Sequence, residues 1–437
     1  MKKRIYSIQS QGPLQGVLHL PGDKSLAHRA LIFAASAKEQ SRITNLPDSE
    51  DVQATRKGLE QLGVRIEMQG HDCLVHGAGG RFENPTAPID CKNSGTTLRL
   101  LAGLCAGVGI CCTLIGDDSL SKRPMRRIID PFIQGGAKIF GHGEPPTAPV
   151  TIDSQVTGPF RIESPVASAQ VKTAMLIAGM FMQGCTQICQ PGKSRDHTER
   201  MLSALGATVE INENCVSIQG PVHLEGFDFV LPADCSSAAF FAAAAAMVPG
   251  SEIRFESLLV NPTRMGFFDV LKKAGALVVY EHAEQRLGEP VADVTVAYNG
   301  SLKGFTIGRD TAPLMIDEVS LAGAIAPFCT TGSSFTGLDE LRVKESDRID
   351  ATCKNLRSWG AKVEERPDGF FVEPGRLKVN SAHSFGDHRI AMAAAVVGVI
   401  SGKIQLDQPE IVSVSYPNFF QDLKSLSADF KLSEEQV

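Results

Sequence analysis

This chain lacks the marks of several protein classes. Its N-terminal stretch, MKKRIYSIQSQGPLQGVLHLPGDKS, has no apolar core of a secretory signal, and its longest apolar runs, such as AAFFAAAAAMV at 238–248, fall well short of a membrane span. Both absences point to a cytoplasmic protein. The 11 cysteines are odd in number, scattered and never paired as CxxC, so neither a disulfide framework nor a zinc site is expected. Cys185 and Cys189 have a ligand-like spacing, but free thiols are the plainer expectation. A basic excess is missing too. With 43 Lys and Arg against 49 Asp and Glu, the net charge of −6 argues against holding long nucleic acid or an anionic membrane through an overall field. A local basic cleft is still compatible with that balance.

What the chain does have is length, apolar content and repetition. At 437 residues, 43% of them hydrophobic, it exceeds one ordinary core and should form two or three domains. One pattern returns at roughly 70-residue intervals: LEQLGVRIE (59–67), FIQGGAKI (132–139), LSALGATVE (202–210), LKKAGALVV (271–279), LRSWGAKVE (356–364) and, without the Gly, LKSLSADFKL (423–432). Each reads as the end of an amphipathic helix, a Gly where the helix stops, and a strand. In step with it run six Ala-rich helices, opening at DKSLAHRALIFAA (23–35), NSGTTLRLLAGLCA (93–106), SAQVKTAMLIAG (168–179), CSSAAFFAAAAA (235–246), IDEVSLAGAIA (316–326) and DHRIAMAAAVVG (387–398). Small side chains on several faces predict helices packed closely on many sides in an interior. Three repeats per half give two similar domains. We expect a first over 21–234 and a second over 235–437, to which residues 1–20 return.

The starts of the Ala-rich helices carry unusual residues. Packed around a pseudo-threefold axis in each domain, these ends would converge, and free N–H groups with the helix dipole would favour an anion there by about 0.3–1 kcal/mol per helix. Lys24, Arg29, Arg123, Lys172, Arg195, Lys344, Arg348 and Arg389 all lie in or near such segments. An acidic protein with its cations gathered this way points to a small, multiply anionic ligand, and Arg grips both phosphate and carboxylate through paired hydrogen bonds. Ordinary capping explains Ser236 or Ser237, where no cation stands nearby in the sequence. It does not explain Lys24, Arg348 or Arg389, because a cation at a helix start opposes the dipole. Two motifs mislead. GKS at 192–194 lacks the first Gly of a P-loop, and SAQVK sets Lys172 one residue too far from Ser168 for a nucleophilic Ser-x-x-Lys.

At PGDKSLAHRAL, NSGTTLRLLAG, DDSLSKRPM, SAQVKTAMLIAG, SRDHTERML, LRVKESDRI and GDHRIAM the chain resembles the 5-enolpyruvylshikimate-3-phosphate (EPSP) synthase family of enolpyruvyl transferases. The resemblance runs from about residue 8 to 425. It implies an α/β fold of two inside-out α/β barrel domains, each of three βαβαββ repeats. It implies an enzyme of the shikimate pathway to chorismate and aromatic amino acids. Such an enzyme moves the enolpyruvyl group of phosphoenolpyruvate to the 5-hydroxyl of shikimate 3-phosphate and releases phosphate, with no metal and no organic cofactor.

Carried over by motif, the resemblance places Lys24, Ser25, Arg29, Ser168, Ala169, Gln170, Arg195, Asp317 and Lys344 on shikimate 3-phosphate. Lys24, Gly95, Arg123, Gln170, Arg348 and Arg389 fall on phosphoenolpyruvate, and Lys24, Asp317 and Glu345 are the catalytic candidates. Asp317 is the implied base at the 5-hydroxyl. The mixed-charge stretch LRVKESDRID (341–350) therefore divides: Lys344, Glu345 and Arg348 belong to the site, while Arg342, Asp347 and Asp350 are positioning or surface charges. One departure stands out. Many members carry a Lys before the last segment that contacts phosphoenolpyruvate, where VSVSYPNFF has Val414 and Ser415. SRDHTE and SVSYP resemble the branch linked with glyphosate tolerance, although Gly95, which can be Ala in tolerant members, is Gly here. Closure on substrate and a monomeric state are the further expectations. The rivals are a UDP-N-acetylglucosamine enolpyruvyl transferase, which needs a loop Cys that DDSLSKRPM lacks, and a ring-shaped DNA clamp, which needs diffuse basic residues.

Overall fold

The fold is that of a computed structural model in which residues 4–436 are described. The chain forms two compact units. The N-terminal unit comprises Gly22–Pro232 with Gln285–Glu289, and the C-terminal unit takes the residues up to Pro21, Ala233–Glu284 and those from Pro290 onward. The first holds helices α1 (Lys24–Ser36), α2 (Glu50–Gln61), α3 (Gly95–Val108), α4 (Arg126–Gln134), α5 (Ala169–Gly179) and α6 (His197–Ala204). The second holds α7 (Cys235–Met247), α8 (Gly266–Ala274), α9 (Val319–Ile325), α10 (Arg348–Ser358), α11 (His388–Ser401) and α12 (Phe419–Ser425).

The expected βαβαββ repeat is present as a sheet that recurs. In the N-terminal unit, strand Arg161–Glu163 runs parallel to Gly184–Cys189, which pairs antiparallel with Cys215–Gly220 and through it with Val209–Asn212. The same order recurs in Ile89–Asp90, Cys112–Ile115, Thr147–Ile152 and Ile139–His142. The remaining sheet of this unit takes its outer strand, Asp228–Val230, from the far end of the unit, parallel to Gln40–Thr44. In the C-terminal unit the corresponding loan comes from the chain start: Gln15–Leu18 lies parallel to Glu252–Leu259. Arg4–Gln9 fits between Lys403–Asp407 and Lys431–Gln436.

The repeated Gly does what its position demands. Gly63, Gly136, Gly206, Gly275 and Gly360 all have positive φ, from 84° to 117°, so each ends its helix in a conformation that a side chain would strain. Small residues on the Ala-rich helices have an equally direct cause. A Cβ on Gly103 of α3 would lie 2.5 Å from the Ala174 carbonyl of α5, so these two helices pack backbone against backbone. Helix α7 is buried all round from Cys235 to Ala246. With no polar face to turn outward, it can only be an inner helix.

Free thiols are the wrong expectation at one pair. Cys189 and Cys215 form a disulfide, with Cα atoms 3.9 Å apart. They stand directly opposite each other on neighbouring antiparallel strands. Spacing concealed the pair because its members lie 26 positions apart with α6 between them, and sheet register rather than local sequence brings them together. Cross-linking a loop of that length stabilises a fold by about 3 kcal/mol. Cys215→Ser should therefore lower the urea midpoint of the oxidised protein, and an unchanged midpoint would mean that the thiols are unlinked in solution. Among the described residues, no helix is long and apolar enough to cross a membrane.

Candidate active site

In the N-terminal unit the site is built from the starts of α1, α3, α5 and α6. Asp23 caps α1, accepting from the Leu26 N–H at 2.9 Å. Lys24, in the first turn, sends its ammonium to Asp51 at the start of α2, 2.8 Å away. That carboxylate offsets the cost of a cation at the positive end of a helix. Deeper in α1, His28 meets Thr55 at 2.7 Å, Thr55 meets Thr97 at 2.8 Å, and Thr97 donates to the α3 cap Ser94 at 2.8 Å. Burial, with the charges of Lys24 and Arg29, holds His28 well below the usual histidine range, so this chain of contacts joins three helices through a neutral ring.

Arg29 is 3% exposed and spends its donors on the protein. Its Nε donates to Thr198 at 2.8 Å, Nη1 to the Ser25 carbonyl at 2.8 Å and Nη2 to Thr173 at 2.7 Å. Burial pulls its pKa to about 10 against the opposing charges of Glu199 and Asp23. The geometry thus makes Arg29 a brace that holds Ser25, α5 and α6 in register. Two of its five N–H groups stay outside those contacts.

The start of α3 shows why position 95 is Gly. A Cβ there would lie 2.7 Å from Arg99 Nη1 and 3.5 Å from Arg123 Nη1, so its absence lets two guanidinium groups approach one helix N-terminus. Arg99 donates to Gln170 Oε1, and Gln170 Nε2 donates to Thr96 at 2.8 Å. Arg123 donates to Asn93 and, at 3.3 Å, to Ser119. The structure therefore brings Gly95, Arg123 and Gln170 together and adds Arg99, which sequence reasoning missed. Only its place one turn into α3 hinted at it. Ser168 caps α5, with Ala169 and Gln170 in the first turn, and Arg195 lies half-buried just before α6.

In the C-terminal unit the charges centre on Arg348, 2% exposed at the first position of α10. Its Nε donates to Asp387 at 2.8 Å, Nη2 to Glu345 at 2.7 Å and Nη1 to Asp317 at 3.4 Å. Burial disfavours the guanidinium charge, yet these three carboxylates push its pKa above the ordinary arginine value. For Asp387 burial acts upward, and the Arg348 charge wins and holds it below the usual carboxylate range. Asp387 also caps α11 by accepting from the Arg389 N–H at 2.8 Å. Arg389 Nη1 lies 3.8 Å from Glu318. Lys344 is half-buried, and burial, opposed by Asp317, pulls its ammonium below the ordinary lysine range.

Geometry settles the part that Arg342 and Asp347 play in LRVKESDRID. Arg342 bonds Asp347 at 2.8 Å and the carbonyls of Pro367 and Arg366 at 2.8 and 2.7 Å, while Asp347 caps α10. These residues hold the loop. The expectation of ordinary capping by Ser236 or Ser237 is overturned: Asp234 is the cap of α7, and Arg264, 28 residues away, donates to the Ser236 hydroxyl at 2.9 Å. A 790 Å³ cleft lined by Asp48, Glu50, Lys57, Glu60, Asp90 and Lys92 holds none of the proposed substrate residues, and its acidic excess does not suit an anionic ligand.

A family model described as EPSP synthase (3-phosphoshikimate 1-carboxyvinyltransferase) matches residues 8–423. The chain belongs to the EPSP synthase family. It is 40% identical to the 3-phosphoshikimate 1-carboxyvinyltransferase of Bacillus cytotoxicus across 96% of this chain and 100% of that one. Against the 3-phosphoshikimate 1-carboxyvinyltransferase of Thermus thermophilus the identity is 42%, over 95% and 97% of the two chains. The solved EPSP synthase of Acinetobacter baumannii superposes with a TM-score of 0.87 at 35% identity, covering 98% of this chain and 100% of that one. The two-domain α/β fold of the family is thus the fold of this chain, and its activity is that of an enolpyruvyl transferase of the shikimate pathway.

Proposed function

We propose that the two sets of residues divide the work of moving the enolpyruvyl group from phosphoenolpyruvate to the 5-hydroxyl of shikimate 3-phosphate. Lys24, Ser25, Arg29, Ser168, Ala169, Gln170 and Arg195 take the acceptor through its phosphate and ring, with Asp317 and Lys344 on its hydroxyls. Lys24, Gly95, Arg123, Gln170, Arg348 and Arg389 take phosphoenolpyruvate. The 5-hydroxyl oxygen adds to C2 while a proton reaches C3; C3 then gives up a proton as phosphate leaves. Lys24, Asp317 and Glu345 handle these protons. The observation that carries the reading is the pair of carboxylates, Asp317 and Glu345, on the one buried guanidinium of Arg348, at 3.4 and 2.7 Å. Paired carboxylates fixed beside a cation suit proton transfer around an anionic substrate.

The two compact units are read as the two three-repeat domains, 21–234 and 235–437 with 1–20, and the enzyme as a cytoplasmic monomer. The test is phosphate release from phosphoenolpyruvate with shikimate 3-phosphate and, in parallel, with UDP-N-acetylglucosamine. Release with the shikimate ester alone is the expected result. Release with the UDP sugar alone would mean that the site has kept its anion grip and changed its acceptor.

A further inference from the structure

Lys172 of SAQVK and Ser194 of GKS belong to motifs that explain nothing as nucleophile or P-loop, yet in the structure they meet. Lys172 Nζ lies 2.5 Å from Glu199 Oε1 and donates to the Ser194 carbonyl at 3.4 Å. Ser194 Oγ donates to Gln190 at 2.8 Å, and Gln190 Nε2 donates to the Ser168 carbonyl at 2.8 Å. The loop from 190 to 194 is thereby held at two points against the start of α5. Arg195 is the next residue, and Ser168 is the cap at the other end.

Stability does not account for this ion pair. The two side chains are 6% and 2% exposed, and a buried pair gives back in attraction little more than it loses in hydration. Glu199 Oε2 is buried without a hydrogen-bond partner, which makes the arrangement costlier still. Burial pushes the Glu199 carboxyl up in pKa against the pull of Lys172. Such a pair is most useful for fixing a geometry. It ties the first turn of α5 to the first turn of α6, the two helix starts that flank Ser168 and Arg195. Lys172, itself buried and engaged, is placed to act through its neighbours.

We propose that Lys172 and Glu199 are positioning residues for the acceptor phosphate, setting Ser194, and through it Arg195, in register with Ser168. The inference rests on the reading of Ser168 and Arg195 as acceptor-phosphate ligands. Truncating Lys172 alone strands a buried carboxylate and destabilises the fold for reasons unrelated to substrate, so the informative variant removes both charges. Steady-state kinetics on Lys172→Met, Lys172→Arg, the double variant Lys172→Met/Glu199→Met and Arg195→Gln test it, alongside thermal melting.

The double variant should melt near the parent temperature and still show a KM for shikimate 3-phosphate raised about 10- to 100-fold. Its kcat and its KM for phosphoenolpyruvate should move less than about threefold. Lys172→Arg should recover most of the lost affinity. A double variant with parental melting and parental KM, while Arg195→Gln raises that KM, would overturn the inference and leave the site reading intact. A parental KM in Arg195→Gln would overturn the site reading and the inference with it. Equal rises in both KM values would mean a general loosening and would also overturn the positioning role.

Discussion

Arg348→Met should lose most turnover and destabilise the protein in a pH-dependent way, by about 3–5 kcal/mol at neutral pH. The guanidinium is 2% exposed and Asp387, its principal partner, is wholly buried. Without it, Asp387 keeps the Ser346 hydroxyl at 3.0 Å and the Arg389 N–H at 2.8 Å, which is too little for a buried charge. In the parent, Arg348 depresses the Asp387 pKa, so the stability from this pair is full above the ordinary carboxylate range. It is lost as pH falls through the depressed value. In the variant, burial and the Glu345 charge outweigh the remaining pull of His388 and raise the Asp387 pKa above its unfolded value, so folding takes up a proton and the variant gains stability as pH falls. Urea unfolding at pH 7.5 and pH 5 should therefore show the gap between parent and variant narrowing at the lower pH. A gap that stays constant would show that Asp387 is not the stranded group. At matched folded concentration, kcat/KM for phosphoenolpyruvate should fall by about two to three orders of magnitude, the usual cost of one fixed charge at a reacting centre.

Much of this molecule could be read from its sequence because the repeat is written in backbone chemistry. A helix end, a left-handed Gly and a strand recur five times at Gly63, Gly136, Gly206, Gly275 and Gly360, and each Gly has the predicted positive φ. Ala-rich helices with no polar face, such as α7, could only lie inside. The cations at helix starts were visible for the same reason, since a residue that opposes the dipole stands out against ordinary capping. Their partners were not visible. Asp51 reaches Lys24 across 27 residues, Asp387 reaches Arg348 across 39, and Arg264 reaches Ser236 across 28. Nothing local distinguishes those residues from solvated charges, because the fold alone brings them near. The Cys189–Cys215 bond escaped for that reason too: register pairs the two, and register is a property of the sheet. Arg29 shows a subtler limit. Motif reasoning places it on substrate, and only the geometry reveals that three of its donors are committed to Thr198, Ser25 and Thr173.

Glu345→Gln should lower kcat by about 10²–10⁴ while changing either KM only a few-fold. The amide keeps the volume of the side chain, and its carbonyl can still accept from Arg348 Nη2, where Glu345 Oε2 now sits at 2.7 Å. What it removes is the ability to give and take a proton, so a binding role and a catalytic role predict opposite patterns. A rise in KM with kcat preserved would make Glu345 an electrostatic brace for Arg348. Asp317→Asn tests the second carboxylate in the same way, 3.4 Å from the same guanidinium. If the two act on successive transfers of one reaction, the double variant should be little slower than the worse single variant, because losing either already blocks the sequence. Fully additive losses would instead assign the two carboxylates to independent tasks. That outcome would take Glu345 out of the proton pathway and leave Lys24, with its Asp51 partner at 2.8 Å, as the remaining donor to the methylene carbon.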